Sequence, residues 1–253
     1  MEAPSPSGSP TLRVFRDSAA ASAALEAETT QAIQQAGRRG MTLGLPTGNT
    51  PLDLYRGWIR RVHAGELSFA SVRTFNLDEY WPAPVGASFA DFMREQLFRH
   101  VDLPTSAAGL LDGSVPADEV EAECARYEAR IHAAGGIDLQ ILGLGLNGHI
   151  AFNEPGSAPD SRTRRVRLAA ETRARAASAC AEWAGCAEAL TMGVGTILEA
   201  RSIVVLAFGA AKAGAVERAL HGVESAEFPA TFLRRHAQVS WLLDAAAAAR
   251  VRA

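Results

Sequence analysis

Residues 143–156 (GLGLNGHIAFNEPG) gather the side chains best suited to moving protons. An apolar run ends there in closely spaced glycines, which permit unusual backbone angles and close ligand approach. Asn147, His149 and Glu154 follow. A carboxylate near an imidazole fixes its tautomer and basicity, making a proton shuttle of the kind that opening a sugar ring at O5 and O1 requires. A lone histidine is more often structural, but a polar, glycine-rich loop after an apolar strand is a poor place for a core imidazole. His149 and Glu154 are five apart, with no HExxH pattern and no second histidine nearby, which speaks against a metal site. No GxSxG elbow offers a serine nucleophile. Acid and base chemistry is what remains.

Three further loops carry candidate groups. In residues 46–51 (PTGNTP), Thr47, Gly48, Asn49 and Thr50 sit where N–H groups of a turn and a helix start can converge on an anion, with threonine hydroxyls as extra donors. Pro51 suits a first helical turn, where its missing N–H costs nothing. A tight strand-to-helix turn with no ligand explains the same residues equally well. The loop lacks both the GK[ST] ending of a nucleotide-binding loop and the GxGxxG of a dinucleotide fold.

Asp78-Glu79-Tyr80 ends a strand with two acids. A partly desolvated carboxylate there has the raised pKa that a base needs to take a proton next to a carbonyl or imine; a solvated or helix-capping pair is the plain alternative. Lys212, one of very few lysines in an arginine-rich chain, is placed to put a point charge on the same anion, unless it is an ordinary surface lysine. The six arginines in residues 162–175, Arg164, Arg173 and Arg175 among them, form either a cationic lid or a solvated helix face.

These loops need a frame that brings them together. Residues 18–35 read as a helix stopped by Gly37 and Gly40, and residues 41–45 as a strand that runs through the 46–51 loop into a helical period, LDLYRGWIRRVHAG. The unit recurs: SVRTFNLDEYW ends a strand at the two acids, IDLQILGL leads into the 143–156 loop, and IVVLAF leads into GAAKAGAVERAL. Such alternation predicts an α/β fold with a doubly wound, mostly parallel sheet and helices on both faces, a Rossmann-like three-layer sandwich. Ligands in these sheets bind beyond the carboxyl ends of the strands, where all four loops fall. Residues 1–10, rich in Pro, Ser and Gly, are expected to be a disordered tail, residues 11–253 a single domain, and LLDAAAAARVRA a terminal helix.

Composition narrows the function classes. With 253 residues, 48% of them hydrophobic and 21% charged, the chain is ordinary globular protein. A net charge of -3 gives no basic field to gather nucleic acid or anionic lipid. No signal-like start and no run of ~18 apolar residues indicate a membrane segment. Cys124, Cys180 and Cys186 show neither disulfide nor zinc spacing, which predicts a reducing, cytoplasmic setting.

LGLPTGNTPLDLY, TFNLDEYW, LGLGLNGHIAFNEPGS, ALTMGVGTILEA and the spacing to GAAK, in that order over most of the chain, resemble the glucosamine-6-phosphate deaminases. FPATFLRRHAQVSWLLD is similar to that family's closing segment. The resemblance implies an enzyme, without metal or organic cofactor, that converts an amino sugar phosphate to a ketose phosphate and ammonia. It implies Asp78 as the base moving a proton between C2 and C1, His149 as the driver of ring opening, Glu154 acting with His149, and Asn147 where members carry Asp or Asn. Thr47, Gly48, Asn49, Thr50 and Lys212 would hold the 6-phosphate, with Glu79 and Tyr80 as neighbours of the base. The family includes monomers and hexamers, so a homo-oligomer is left open.

Departures mark what is particular to this chain. Ser178 stands where many members place a lid arginine on the phosphate, and Arg173 and Arg175 are near enough to replace it. Arg164 is kept, but Val166 takes the place of a basic residue found in members activated by an acetylated sugar phosphate, so that control is not expected. The TGNT variant and Trp81-Pro82 are similar to divergent copies of the family, and a galactosamine-type substrate is an alternative. A 6-phosphogluconolactonase-like hydrolase shares the fold but has an arginine where Tyr80 stands. A non-catalytic sugar-phosphate sensor would keep the phosphate loop and lose the acid and base groups, all of which are present.

Overall fold

The computed structural model describes residues 10–251; the expected tail therefore lies outside the described residues, except for Pro10. The chain begins with β1 (Thr11–Phe15) and α1 (Ser18–Ala36), whose N-terminus is capped by the Asp17 carboxylate accepting the Ala20 N–H at 2.7 Å. Then come β2 (Met41–Leu45), α2 (Leu52–His63), β3 (Val72–Asn76), β4 (Asp78–Trp81), α3 (Phe89–Gln96), β5 (Ala108–Gly109), α4 (Val120–Ala133) and β6 (Leu139–Gly143). The second half runs β7 (Arg164–Arg167), α5 (Ala170–Ala179), β8 (Glu188–Thr191), α6 (Val194–Leu198), β9 (Ser202–Ala207), α7 (Ala213–His221) and β10 (Val239–Asp244).

Seven strands form one parallel sheet in the order β1-β10-β9-β6-β2-β3-β5. Its central strands are buried on both faces and read as apolar runs, as a parallel sheet demands. On one face α1 and α2 contribute Ala21, Leu25, Ile33, Leu54, Tyr55 and Trp58 to a core with Leu43, Leu45 and Ile141. On the other, Val120, Cys124, Tyr127 and Ile131 of α4 recur at helical spacing and pack with Leu142, Val205 and residues of α7. The result is the expected three-layer α/β architecture. Among the described residues no helix is long and apolar enough to cross a membrane.

Two local expectations are corrected. The acids do not end the strand TFNL: Leu77 donates its N–H to Leu45 O at 3.1 Å and takes the Met192 N–H at 2.7 Å, and Asp78 then opens β4 in a separate antiparallel sheet, β4-β8-β7. Leu77 is the joint at which the chain leaves one sheet for the other. Nor is LLDAAAAARVRA a helix over its described residues, 242–251. Leu242 and Leu243 are buried in β10, and the Asp244 carboxylate accepts N–H groups from Gly209 and Ala247, at 2.9 and 2.7 Å, so that turns follow. Alanine propensity over so few residues does not nucleate a helix against those contacts.

Candidate active site

The carboxyl ends of β2, β3, β6 and β9 converge on one cleft of about 380 Å³. The loop after β2 supplies Thr47, Gly48, Asn49 and Thr50, the β3–β4 joint supplies Asp78, the loop after β6 supplies His149, and the turn after β9 supplies Lys212. Helix α5 lies over this space with Thr172, Arg175, Ala176 and Ala179 facing it, an i, i+3, i+4, i+7 stripe. A larger cavity of about 720 Å³ lies between α4 and β7, but its Arg162 and Glu128 are already paired at 2.6 Å and it holds none of the four loops.

The 46–51 loop is fixed from below. The Tyr55 hydroxyl, fully buried on α2, donates to Pro46 O at 2.5 Å, and Gly48 adopts φ +87°, a conformation that side chains resist. Asp78 is buried, and its Oδ1 has no hydrogen-bond partner among the described residues. Burial first, and the charge of Glu79 second, push the Asp78 carboxyl up to about 8, against a smaller pull down from the Thr47 hydroxyl. A carboxylate so disposed is a strong base whenever it is ionised.

Glu79 plays a different part. Its two carboxylate oxygens accept the N–H groups of Tyr80, Phe89 and Ala90 at 2.8–2.9 Å, which holds the first turn of α3. It does not border the cleft.

In the loop after β6, glycine is required at two points. A Cβ at Gly145 would meet the His149 ring at 2.5 Å, and Gly148 turns with φ +84° under the Phe228 ring. His149 thus lies flat along the loop and reaches the cleft. Behind it, His149 Nδ1 is 3.6 Å from Glu154 Oε2, and Asn147 Nδ2 donates to that same oxygen at 2.8 Å. Burial acts to raise the Glu154 carboxyl, but His149, Thr172 and Asn147 outweigh it and bring the group down to about 2. Glu154 and Asn147 back the imidazole without bordering the cleft themselves.

Lys212 donates its ammonium to Leu144 O. Burial, with Arg175 as the second cause, lowers it to about 8. It is the only lysine in the sequence. Of the six arginines, Arg162 precedes β7, three lie on β7 and two on α5, and only Arg175 of the three lid candidates borders the cleft. Arg164 turns away to Asn153 Oδ1 and Ser157 Oγ, at 2.9 and 3.0 Å, and Arg173 is exposed on the outer side of α5. Ser178 also lies off the inward stripe, its hydroxyl bonded to Ala174 O at 3.0 Å.

A base, an imidazole with its carboxylate and a cation beside a donor-rich loop therefore share one space. A model of the glucosamine-6-phosphate isomerases/6-phosphogluconolactonase family matches residues 16–241. The chain belongs to that family. Over 217 residues it is 48% identical to a glucosamine-6-phosphate deaminase of Rhodopirellula baltica, covering 81% of this chain and 82% of the relative. It is 49% identical over 214 residues to that of Hahella chejuensis, covering 83% and 80%. A solved monomeric glucosamine-6-phosphate deaminase superposes with a TM-score of 0.89 at 37% identity, over 95% of this chain and 99% of that one.

In this member of the family, sequence patterns do not single out the aromatic wall of the cleft. Tyr80, Phe89, Phe152 and Trp183 border it and interlock, with ring centroids 4.7–5.8 Å apart. They come from four segments with no shared spacing.

Proposed function

We propose that this chain opens glucosamine 6-phosphate, or a close amino sugar phosphate, and isomerises it to the ketose phosphate with release of ammonia. The observation that carries the reading is the convergence of Asp78, buried with a raised pKa, and the His149–Glu154 pair on one cleft that also holds an anion-binding loop. The identities to deaminases over four fifths of the chain support the same reaction. His149 carries the proton between ring oxygen and O1 that opening needs, with Glu154 and Asn147 holding its orientation. Asp78 takes the C2 proton and returns it at C1, which moves the double bond and leaves an imine at C2; water then displaces ammonia. Thr47, Gly48, Asn49 and Thr50 receive the 6-phosphate with Lys212, and Arg175 completes the charge from above, in place of the arginine absent at position 178.

Proton transfer at carbon is the step that a 6-phosphogluconolactone hydrolase does not need; Tyr80, where that hydrolase carries an arginine, and the HIAFNEP segment favour the deaminase. All three cysteines are free, in keeping with a cytoplasmic enzyme. Ammonia release from glucosamine 6-phosphate and galactosamine 6-phosphate, alongside acid release from 6-phosphogluconolactone, with Asp78→Asn and His149→Gln as controls, tests the reading. Release from an amino sugar, abolished in both variants, is the expected result. Silence on both amino sugars with turnover of the lactone would assign the chain to the hydrolase branch.

A further inference from the structure

The aromatic wall has no part in the acid and base steps. Tyr80 belongs to β4, Phe89 opens α3 and Phe152 sits in the loop after β6, all held by the sheets. Trp183 alone comes from the turn that follows α5, residues 181–185, and that turn is the element α5 packs against most. α5 meets the fixed wall at two points, through Ala176, buried in the same cluster as Tyr80, Phe89 and Phe152, and through Trp183, which alone adds a hydrogen bond to it.

Its attachment is specific. The indole N–H donates to Ala87 O at 2.7 Å, and the ring lies 5.5 Å from Tyr80 and 5.4 Å from Phe89. Ala87 immediately precedes the Ser88–Asp91 capping box of α3, whose first turn Glu79 also holds. The anchor for α5 is thus built on the residue next to Asp78. Trp183 and Ala179 also border a second cavity of about 420 Å³ lined by Phe92 and Gln96, which touches the cleft at Gly48 and Asn49.

We infer that Trp183 is a positioning residue with two effects: its N–H latches α5, and with it Arg175, over the cleft, and its ring partitions the substrate space from the neighbouring cavity. This rests on the sugar-phosphate reading of the cleft for its catalytic consequence, but the latch itself does not. Arg173 and Arg175 are exposed on α5, so trypsin cleavage at these two residues, mapped by mass spectrometry, reports how often α5 lifts.

Trp183→Phe keeps a ring and loses the N–H. Cleavage at Arg173 and Arg175 is expected to quicken by about fivefold, the worth of one neutral hydrogen bond. KM for glucosamine 6-phosphate rises by a similar factor while kcat stays within about twofold, because the reacting groups are untouched. Trp183→Ala, which joins the two cavities, raises KM further and lowers kcat as well. Cleavage and KM both at wild-type values in folded Trp183→Phe would overturn the proposal. If the wild type released no ammonia from any amino sugar, the sugar reading would fail, and the proteolysis would still decide the latch.

Discussion

His149 Nδ1 faces Glu154 Oε2 at 3.6 Å, and the Asn147 amide already occupies that oxygen at 2.8 Å. The carboxylate is therefore held by a neutral donor before the imidazole is charged, and at 3.6 Å the imidazole contact is one of charge rather than a formed hydrogen bond. When His149 takes a proton, Glu154 stabilises the imidazolium without having to move. Glu154→Gln removes that charge and should lower kcat by about a hundredfold, the low end of what a positioned acid and base contribute. Because the folded pKa of Glu154 lies at about 2, below the unfolded value, its stabilisation is present above pH ~4 and disappears as pH falls towards 2. Thermal melts between pH 2 and 5 should show a shallower acid slope in the variant; identical slopes would detach Glu154 from the pair.

Asp78 makes the opposite prediction. Its folded pKa of about 8 lies above the unfolded value, so the folded chain binds the extra proton between pH ~4 and 8 and stability falls as pH rises through that window. Asp78→Asn should leave Tm unchanged at pH 4 and raise it by roughly 10 °C or more at pH 8.5, where the buried charge is otherwise present. In the wild type, kcat/KM should climb with an acid limb near 8 instead of in the ordinary carboxylate range. An acid limb near 4 would show that another group, not Asp78, is the base.

Lys212, as the sole lysine, can be observed alone. Reductive methylation with ¹³C-formaldehyde labels its amine and the N-terminus, and Lys212→Arg identifies which resonance is which. The Lys212 signal should titrate near 8, because burial and Arg175 disfavour the charged form. Inorganic phosphate should move that midpoint upward, since a bound anion favours the ammonium. Titration near the ordinary lysine value, unmoved by phosphate, would take Lys212 out of the anion site.

Much of this arrangement was legible in the residues. A short apolar run placed β2 and helical periods placed α1 and α2 to within a residue or two, because each buries its apolar residues in a regular layer. The meeting of Thr47, Asp78, His149 and Lys212 followed from one rule, that loops at the carboxyl ends of a parallel sheet share a space. What failed depended on partners distant in sequence. Leu77 ends a strand through hydrogen bonds to Leu45 and Met192, and Asp244 turns the chain through Gly209. The direction of each arginine in residues 162–175 was likewise set by the strand-to-helix change at residues 168–169, which composition alone does not reveal.

Arg175 lies on the inward stripe of α5 with Thr172, Ala176 and Ala179, whereas Arg173 points to solvent two residues away. Equal charge and nearly equal position make the two a matched pair. Arg175→Ala removes a charge-assisted contact of about 1.5–3 kcal/mol to the phosphate, so KM for the sugar phosphate should rise between about tenfold and a hundredfold. Arg173→Ala loses only a solvated charge and should stay within about twofold. Steady-state kinetics on both variants at fixed ionic strength separates the readings: equal, small effects would mean that α5 contributes a diffuse field, and a large effect confined to Arg175 would mean that this chain has moved its phosphate clamp from position 178 to the adjoining turn of the same helix.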